Sequence, residues 1–246
     1  MYLSWIIPTY NEEKRIEKTI REVDGYLRSK NFPGGYEIIV SDSASRDRTL
    51  EIVKKVEVEI PAVRHLSLEN RGKGWAVKNG MLEAKGEVRV FADADNSVSV
   101  EQADVFLPLV CDGADTFGCA DVVIGSIEVP GAKVREEAQW YRRLLGKLSK
   151  YLIRAVIGLW EIRDSQRGFK WFSARGAKTI FPRQTIMDWG FDFEVLLIAK
   201  RQGFAVKEVP VRWVNPPDSK VRLGAYLTTL LELFTVKWND IRGVYE

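Results

Sequence analysis

The sequence predicts an α/β fold, a mixed but mostly parallel sheet flanked by helices. Strand-like and helix-like hydrophobic periods alternate from Tyr2 to Ala92, and each strand-like run in that stretch ends in a polar cluster. Hydrophobic residues make up 46% of the 246-residue chain and charged residues 29%, which excludes a disordered, collagenous or disulfide-scaffold class and leaves ample material for a core.

Tyr2 to Pro8 reads as the first strand and Glu12 to Ser29 as the first helix. Tyr36 to Asp42 and Ala62 to Leu68 read as strands separated by a helix over Asp47 to Lys55, and Gly74 to Ala84 reads as a helix leading to a strand at Val88 to Ala92. Strands joined through helices imply right-handed crossovers, and ligands of such sheets bind at the carboxyl ends of the strands. Further on, Val122 to Ser126, Phe169 to Phe172 and Val206 to Trp213 read as strands. Trp140 to Leu159, Phe193 to Gln202 and Leu223 to Trp238 read as helices. Asn215, Pro216 and Pro217 mark a boundary between a catalytic domain of residues 1–215 and an amphipathic helical extension of residues 216–246.

A formal charge of only +3 gives no footprint for general nucleic-acid binding. Cys111 and Cys119 are too few for a disulfide framework, and with His65 the sole histidine they make no zinc site, so a reducing compartment is expected. The start of the chain lacks the basic flank and cleavage site of a signal peptide. No apolar run reaches the roughly 18 residues that crossing a bilayer requires.

Four polar clusters carry the chemistry: Thr9 to Glu12, Asp42 to Thr49, Asn70 to Gly74 and Asp93 to Asp95. Any one of them alone is equally a helix cap or a tight turn. Asp93 and Asp95 stand one residue apart at a strand end, a pair suited to a hard divalent cation that also grips a substrate diphosphate. In Asn70-Arg71-Gly72-Lys73-Gly74 the glycines permit close approach of the backbone to a phosphate and the cations neutralise it, although the spacing is not that of a Walker loop.

Taken in order, IIPTYNEE, VSDSASRDRT, NRGKGWAVKNGM and FADADNS resemble the donor-binding half of glycosyltransferase family 2, whose fold is the Rossmann-like GT-A type. RDSQRGFKWF, DWGFDFEVLL and VPVRWVNPPDSKV are similar to its dolichyl-phosphate β-glucosyltransferase branch and the related mannosyltransferases. The resemblance implies that Pro8, Tyr10, Glu12, Asp42, Lys73 and Asp93 bind the nucleotide sugar, with Asp42 toward the base. It places Asp95 and Asp93 at Mg²⁺ or Mn²⁺, and Asp164, Gln166, Asp192 and Glu194 as polar groups on the acceptor side that position rather than transfer protons. Two departures stand out. Asp42-Ser43-Ala44-Ser45 lacks one carboxylate and the glycine of the family's acidic signature, and Ile127 stands where an arginine commonly follows the Gly-Ser pair of the middle strand. The acceptor phosphate is therefore assigned to Arg135, Arg142 or Arg143.

The implied activity is inverting transfer of a hexose, glucose from UDP-glucose in the first instance, to a polyprenyl phosphate at the cytoplasmic face of a membrane. GDP-mannose as donor, a soluble acceptor, and a catalytically silent nucleotide-sugar-binding protein remain alternatives. Peripheral attachment rests on Tyr141, Leu144, Leu145, Leu148, Leu152, Ala155, Val156 and Leu159 at helical spacing opposite Arg143, Lys147, Lys150 and Arg154. That pattern suits an interfacial helix, or equally a surface helix packed on the core. Leu223, Tyr226, Leu227, Leu230, Leu231, Phe234 and Trp238 give the closing helix a second apolar face.

Overall fold

The computed structural model describes residues 1–111, 118–135, 140–214 and 223–246. The predicted boundary at Asn215 to Pro217 lies outside them. β1 (Leu3–Thr9), α1 (Ile16–Ser29), β2 (Tyr36–Ser43), α2 (Thr49–Glu59), β3 (Val63–Leu68), α3 (Lys73–Glu83) and β4 (Val88–Ala92) form three successive strand-helix-strand units. There follow α4 (Ala103–Phe106), β5 (Val122–Ser126), β6 (Lys133–Arg135), α5 (Trp140–Ile157), β7 (Phe169–Ser173), α6 (Ala174–Arg183), α7 (Phe191–Arg201), β8 (Val206–Pro210), β9 (Arg212–Val214) and α8 (Leu223–Ile241).

The main sheet has the order β3-β2-β1-β4-β7-β5-β8. β1 to β4 are mutually parallel, β7 runs antiparallel to both β4 and β5, and β8 is parallel to β5. The expected mixed, mostly parallel sheet is therefore present. Helices cover both faces, which is why the central strands read as nearly continuous apolar runs. Within β1 the alternation sends Leu3, Trp5 and Ile7 to one core layer and Ile6 to the other.

The run Val206 to Trp213 is two strands rather than one. Pro210 offers no N–H to continue the ladder, Val211 donates to the Ser126 carbonyl at 3.1 Å, and β9 then pairs with β6 in a separate two-stranded sheet. α6 went unread because Pro182 interrupts its pattern, yet its N-terminus is capped by the Ser173 hydroxyl, which accepts from the Gly176 N–H at 2.9 Å.

α5 and α8 pack on one another with their apolar stripes divided between core and surface. Ile153 and Ile157 face the core, whereas Leu148, Tyr151, Leu152 and Ala155 face outward. Lys150 turns toward the body, where it meets Glu128 and Asp164. On α8, Leu233 and Val236 are buried, while Leu231, Phe234, Trp238 and Ile241 form an exposed stripe. The predicted basic face is thus partly consumed inside the protein. Among the described residues no helix is long and apolar enough to cross a membrane.

Cys111 and Cys119 are joined in a disulfide, contrary to the expectation of reduced thiols. The reason is local: Val110 and Ala120 form an isolated bridge that brings the two ends of this loop together.

Candidate active site

At the carboxyl ends of β1 and β2, two loops are laced by short-range hydrogen bonds. Asp42 is buried, and its carboxylate accepts from the N–H of Ser45 at 3.1 Å, from the Ser45 hydroxyl, and from Thr9 Oγ1 at 3.4 Å. Asn11 N–H donates to Ser45 Oγ at 2.8 Å and its side-chain oxygen accepts from Arg46 N–H at 2.7 Å. Glu12 N–H donates to Thr49 Oγ1 at 2.7 Å and its carboxylate pairs with Arg15 at 3.0 Å. Pro8 lies buried in β1 opposite Ser41, and the Arg71 guanidinium stacks 4.2 Å above the Tyr10 ring. The loop that departs from the family signature is therefore fully organised around Asp42, with Ser45 as its cap. Ala44 holds φ at 59°, a left-handed conformation that favours glycine.

Asp93 and Asp95 follow β4. Lys73, the first residue of α3, reaches Asp93 at 2.7 Å and lies 5.5 Å from the centroid of the Trp189 ring. Burial opposes the Lys73 charge, but the carboxylates of Asp93, Asp192 and Asp95 outweigh it and hold the ammonium above the usual lysine range. Asp95 accepts from Ser97 N–H at 2.9 Å, and burial, reinforced by the Asp93 charge, pushes its carboxyl above the usual range. Gly168 presses on this pair: a Cβ there would overlap the Asp93 carboxylate, and the Gly168 carbonyl accepts from Asp93 N–H at 3.2 Å.

The glycines around Lys73 have a packing task that the sequence reading did not foresee. A Cβ at Gly72 would overlap the Met187 carbonyl, and one at Gly74 would meet Ile186 O at 2.7 Å and Phe191 Cβ at 2.8 Å. They admit the 184–190 segment against the start of α3. Glu194 is likewise structural, accepting from Thr185 N–H at 2.9 Å, Ile186 N–H at 2.9 Å and Tyr245 OH at 2.8 Å.

Below the Lys73 and Asp93 pair, Lys170 is wholly buried, ion-paired with Asp192 and bonded to the Arg167 carbonyl at 2.7 Å. Asp164, also wholly buried, accepts from Ile127 N–H at 3.1 Å and Arg167 Nε at 3.3 Å, with Lys150 Nζ 3.5 Å away. Burial raises its carboxyl, but Arg167 and Lys150 prevail and hold it below the usual range. Its loop is anchored from β8, where Glu208 accepts from the N–H groups of Arg163 and Asp164, both at 2.8 Å. Gln166 is half-buried in the same loop.

The structure thus brings Lys73, Asp93, Asp95, Asp164 and Asp192 together and adds Lys150, which the sequence reading placed on a basic outer face, and Arg167 and Lys170, which it passed over. A lysine within the apolar strand Phe169-Lys170-Trp171-Phe172 was the available signal, since a lysine is rarely fully buried without a partner. Arg135 is exposed on β6, while the side chains of Arg142 and Arg143 lie outside the described residues.

The donor set suits a divalent ion in part-complexed form. Among the described residues no group of three metal-ligating side chains occurs, so the protein offers the Asp93 and Asp95 carboxylates, and phosphates and water would complete the shell. A dication would offset both the burial that chiefly pushes the Asp95 carboxyl up and the Asp93 charge that adds to it.

Strand order, the one antiparallel strand inserted after β4, and two carboxylates at the β4 end define a GT-A type glycosyltransferase. The same fold is found in glucosyl-3-phosphoglycerate synthase of Mycobacterium tuberculosis, solved with Mn²⁺, UDP and glucosyl-3-phosphoglycerate; it matches with a TM-score of 0.65 at 18% identity, covering 96% of this chain and 79% of the other. The model of glycosyl transferase family 2 matches residues 4–181, and the chain belongs to that family. Its relatives include a dolichyl-phosphate β-glucosyltransferase of Trichomonas vaginalis, 33% identical over 96% of this chain and 71% of the relative. The human dolichyl-phosphate β-glucosyltransferase is 31% identical over 99% of this chain and 77% of its own length.

Proposed function

We propose that the protein transfers glucose from UDP-glucose to a polyprenyl phosphate, with inversion, at a membrane surface. The observation that carries this reading is the convergence of Lys73, Asp93 and Asp95 with the Asp164 to Gly168 loop at the carboxyl edge of the sheet, a donor half and an acceptor half meeting at Gly168. The β-glucosyltransferase names of relatives over nearly the whole chain support the choice of sugar and acceptor.

In this reading Asp42, Tyr10 and Glu12 seat the nucleoside, and the charged Lys73 faces the diphosphate. Asp95 and Asp93 would hold Mg²⁺ or Mn²⁺, which when bound supplies charge stabilisation to the departing diphosphate. An acceptor phosphate oxygen forms the new bond to the anomeric carbon as the bond to the donor β-phosphate breaks, and the nucleoside diphosphate leaves with that electron pair. A phosphate monoester has a second pKa of about 6, so it is largely dianionic near neutral pH and needs no strong protein base. Asp164 and Asp192, both held by cations, accordingly serve to position, with Gln166 beside them. The outward stripes Leu148, Tyr151 and Leu152 on α5 and Leu231, Phe234, Trp238 and Ile241 on α8 suit insertion into a bilayer interface, with the closing helix acting as the membrane-facing extension.

The test is a transfer assay with UDP-glucose or GDP-mannose, a short polyprenyl phosphate, and Mg²⁺ or Mn²⁺, comparing wild type with Asp95→Ala. Metal-dependent formation of lipid-linked glucose, reduced at least ~1,000-fold in the variant, is expected. Mannose transfer instead would change the donor, and consumption of neither donor would favour a silent binding protein.

A further inference from the structure

Arg167 is held in an unusual way. Its Nε donates to Asp164 at 3.3 Å and its guanidinium lies 4.7 Å from the centroid of the Trp213 ring, so a hydrogen bond and a flat aromatic face fix the plane of the fork. Its carbonyl is tied to Lys170 at 2.7 Å and its neighbour Gly168 abuts Asp93. The two terminal nitrogens of the fork have no hydrogen-bond acceptor among the described residues, although the side chain is only 17% exposed. Asp164 is shared with Lys150, which stands 3.5 Å from its other oxygen and also pairs with Glu128 at 2.6 Å, so the fork lies among balanced charges, next to Gly168 and the Asp93 carboxylate that Gly168 abuts.

We propose that Arg167, oriented by Asp164 and Trp213, binds the terminal phosphate monoester of the acceptor with its two terminal nitrogens. The inference rests on the transferase reading and assigns its acceptor subsite to a residue other than Arg135, Arg142 or Arg143. A planar guanidinium with two parallel N–H groups matches phosphate geometry in a way that an ammonium does not. Trp213 is itself placed by the core-side bridge to Val98 and by the pairing of its neighbour Val214 with Ser97, whose carbonyl accepts from Val214 N–H at 3.0 Å. A phosphate on this fork therefore sits beside the loop that follows Asp95, within reach of a donor sugar there.

The phosphate monoester can belong to a lipid or to a small soluble acceptor. The experiment measures binding of farnesyl phosphate, glycerol phosphate and UDP to the full chain, as wild type, Arg167→Lys and Arg167→Gln, with thermal melting of each. Arg167→Gln is expected to weaken the phosphate ester by ~10-fold or more with UDP affinity at the wild-type value and a lower melting temperature, because Asp164 loses a partner; Arg167→Lys, which keeps a cation beside Asp164, should melt close to wild type yet recover only part of the ester binding. Unchanged ester binding in Arg167→Gln, equal loss of ester and UDP, or no ester binding by wild type would each overturn the proposal. Preference for farnesyl phosphate over glycerol phosphate supports a lipid source. The reverse preference, lost in the same variant, would leave Arg167 as the phosphate ligand while refuting the lipid-acceptor reading.

Discussion

The two halves of the site are built differently. On the donor side, Asp42, Ser45 and Asn11, and beside them Glu12 with Thr49, are held by hydrogen bonds within and between two adjacent loops at neighbouring strand ends. On the acceptor side, Asp164, Lys170 and Asp192 are buried charges held by partners from distant elements, including Lys150 of α5 and the backbone of Ile127 after β5. A hydrogen-bonded loop tolerates loss of one member, because water can replace it. A buried ion pair does not, since removing one charge strands the other in a medium that solvates it poorly.

That contrast predicts the largest stability effect at Lys170. Lys170→Met should destabilise the fold by roughly 3–5 kcal/mol by leaving Asp192 uncompensated, whereas Lys170→Met with Asp192→Leu should recover most of the loss. Urea unfolding of the two variants decides it. If the double variant is as unstable as the single one, the pair is not an isolated electrostatic unit and the distinction between the halves fails. Lys170 already titrates below the usual lysine range because burial outweighs the attraction of Asp192, which marks how finely this pair is balanced.

The same contrast explains what was legible in the sequence. The strand-helix repeat from β1 to β4 and the carboxylates at strand ends were readable because period and position along one strand determine them. Asp42, Asp93 and Asp95 fall at such ends, and Lys73 opens the helix that follows β3. The cations of the acceptor half were not readable, since Lys150, Arg167 and Lys170 acquire meaning only when α5, the 163–168 loop and β7 are brought together by tertiary packing. Gly72 and Gly74 show the same limit. Two glycines around a lysine suggested room for a phosphate, and what the sequence did not show is that the space a side chain would take there is filled by residues 186 and 187, which lie more than a hundred positions along the chain. The α5 helix was foreseen, but period alone does not say which side faces the body. Ile153 and Ile157, outside the predicted stripe, took the core together with Lys150 of the predicted basic face, and left Leu148 and Leu152 outside.

A second test concerns the joint between α8 and the donor half. Glu232 accepts from Gly190 N–H at 2.7 Å, and Gly190 lacks the Cβ that would sit 2.8 Å from Glu232 Cβ. Burial, aided by the charges of Asp188 and Glu194 and opposed by the Gly190 hydrogen bond, pushes this carboxyl up to about 7. A raised carboxyl binds its proton more tightly when folded, so stability from this group is present at low pH and lost as pH rises through about 7. Glu232→Gln should abolish that slope. Relative to the variant, wild type is expected to lose on the order of 1 kcal/mol between pH 6 and 8, a figure reduced for the half-exposed setting of the group. Parallel melting curves for the two proteins across this range would show that Glu232 keeps an ordinary carboxylate pKa.

The smallest expected effect sharpens the donor side. Ala44 sits at φ 59° in the loop that departs from the family signature. If the loop keeps its geometry despite the alanine, as the bonds from Ser45 to Asp42 indicate, Ala44→Gly should relieve the left-handed strain. Against that relief stands the greater freedom of glycine in the unfolded chain, so the net gain is expected at about 0.5–1 kcal/mol. UDP affinity should remain within about twofold, because the carboxylate of Asp42 is already set by its neighbours. A large rise in UDP affinity on Ala44→Gly would instead mean that alanine distorts the nucleoside seat, and the donor half would then owe its geometry to backbone strain rather than to the hydrogen bonds that define it here.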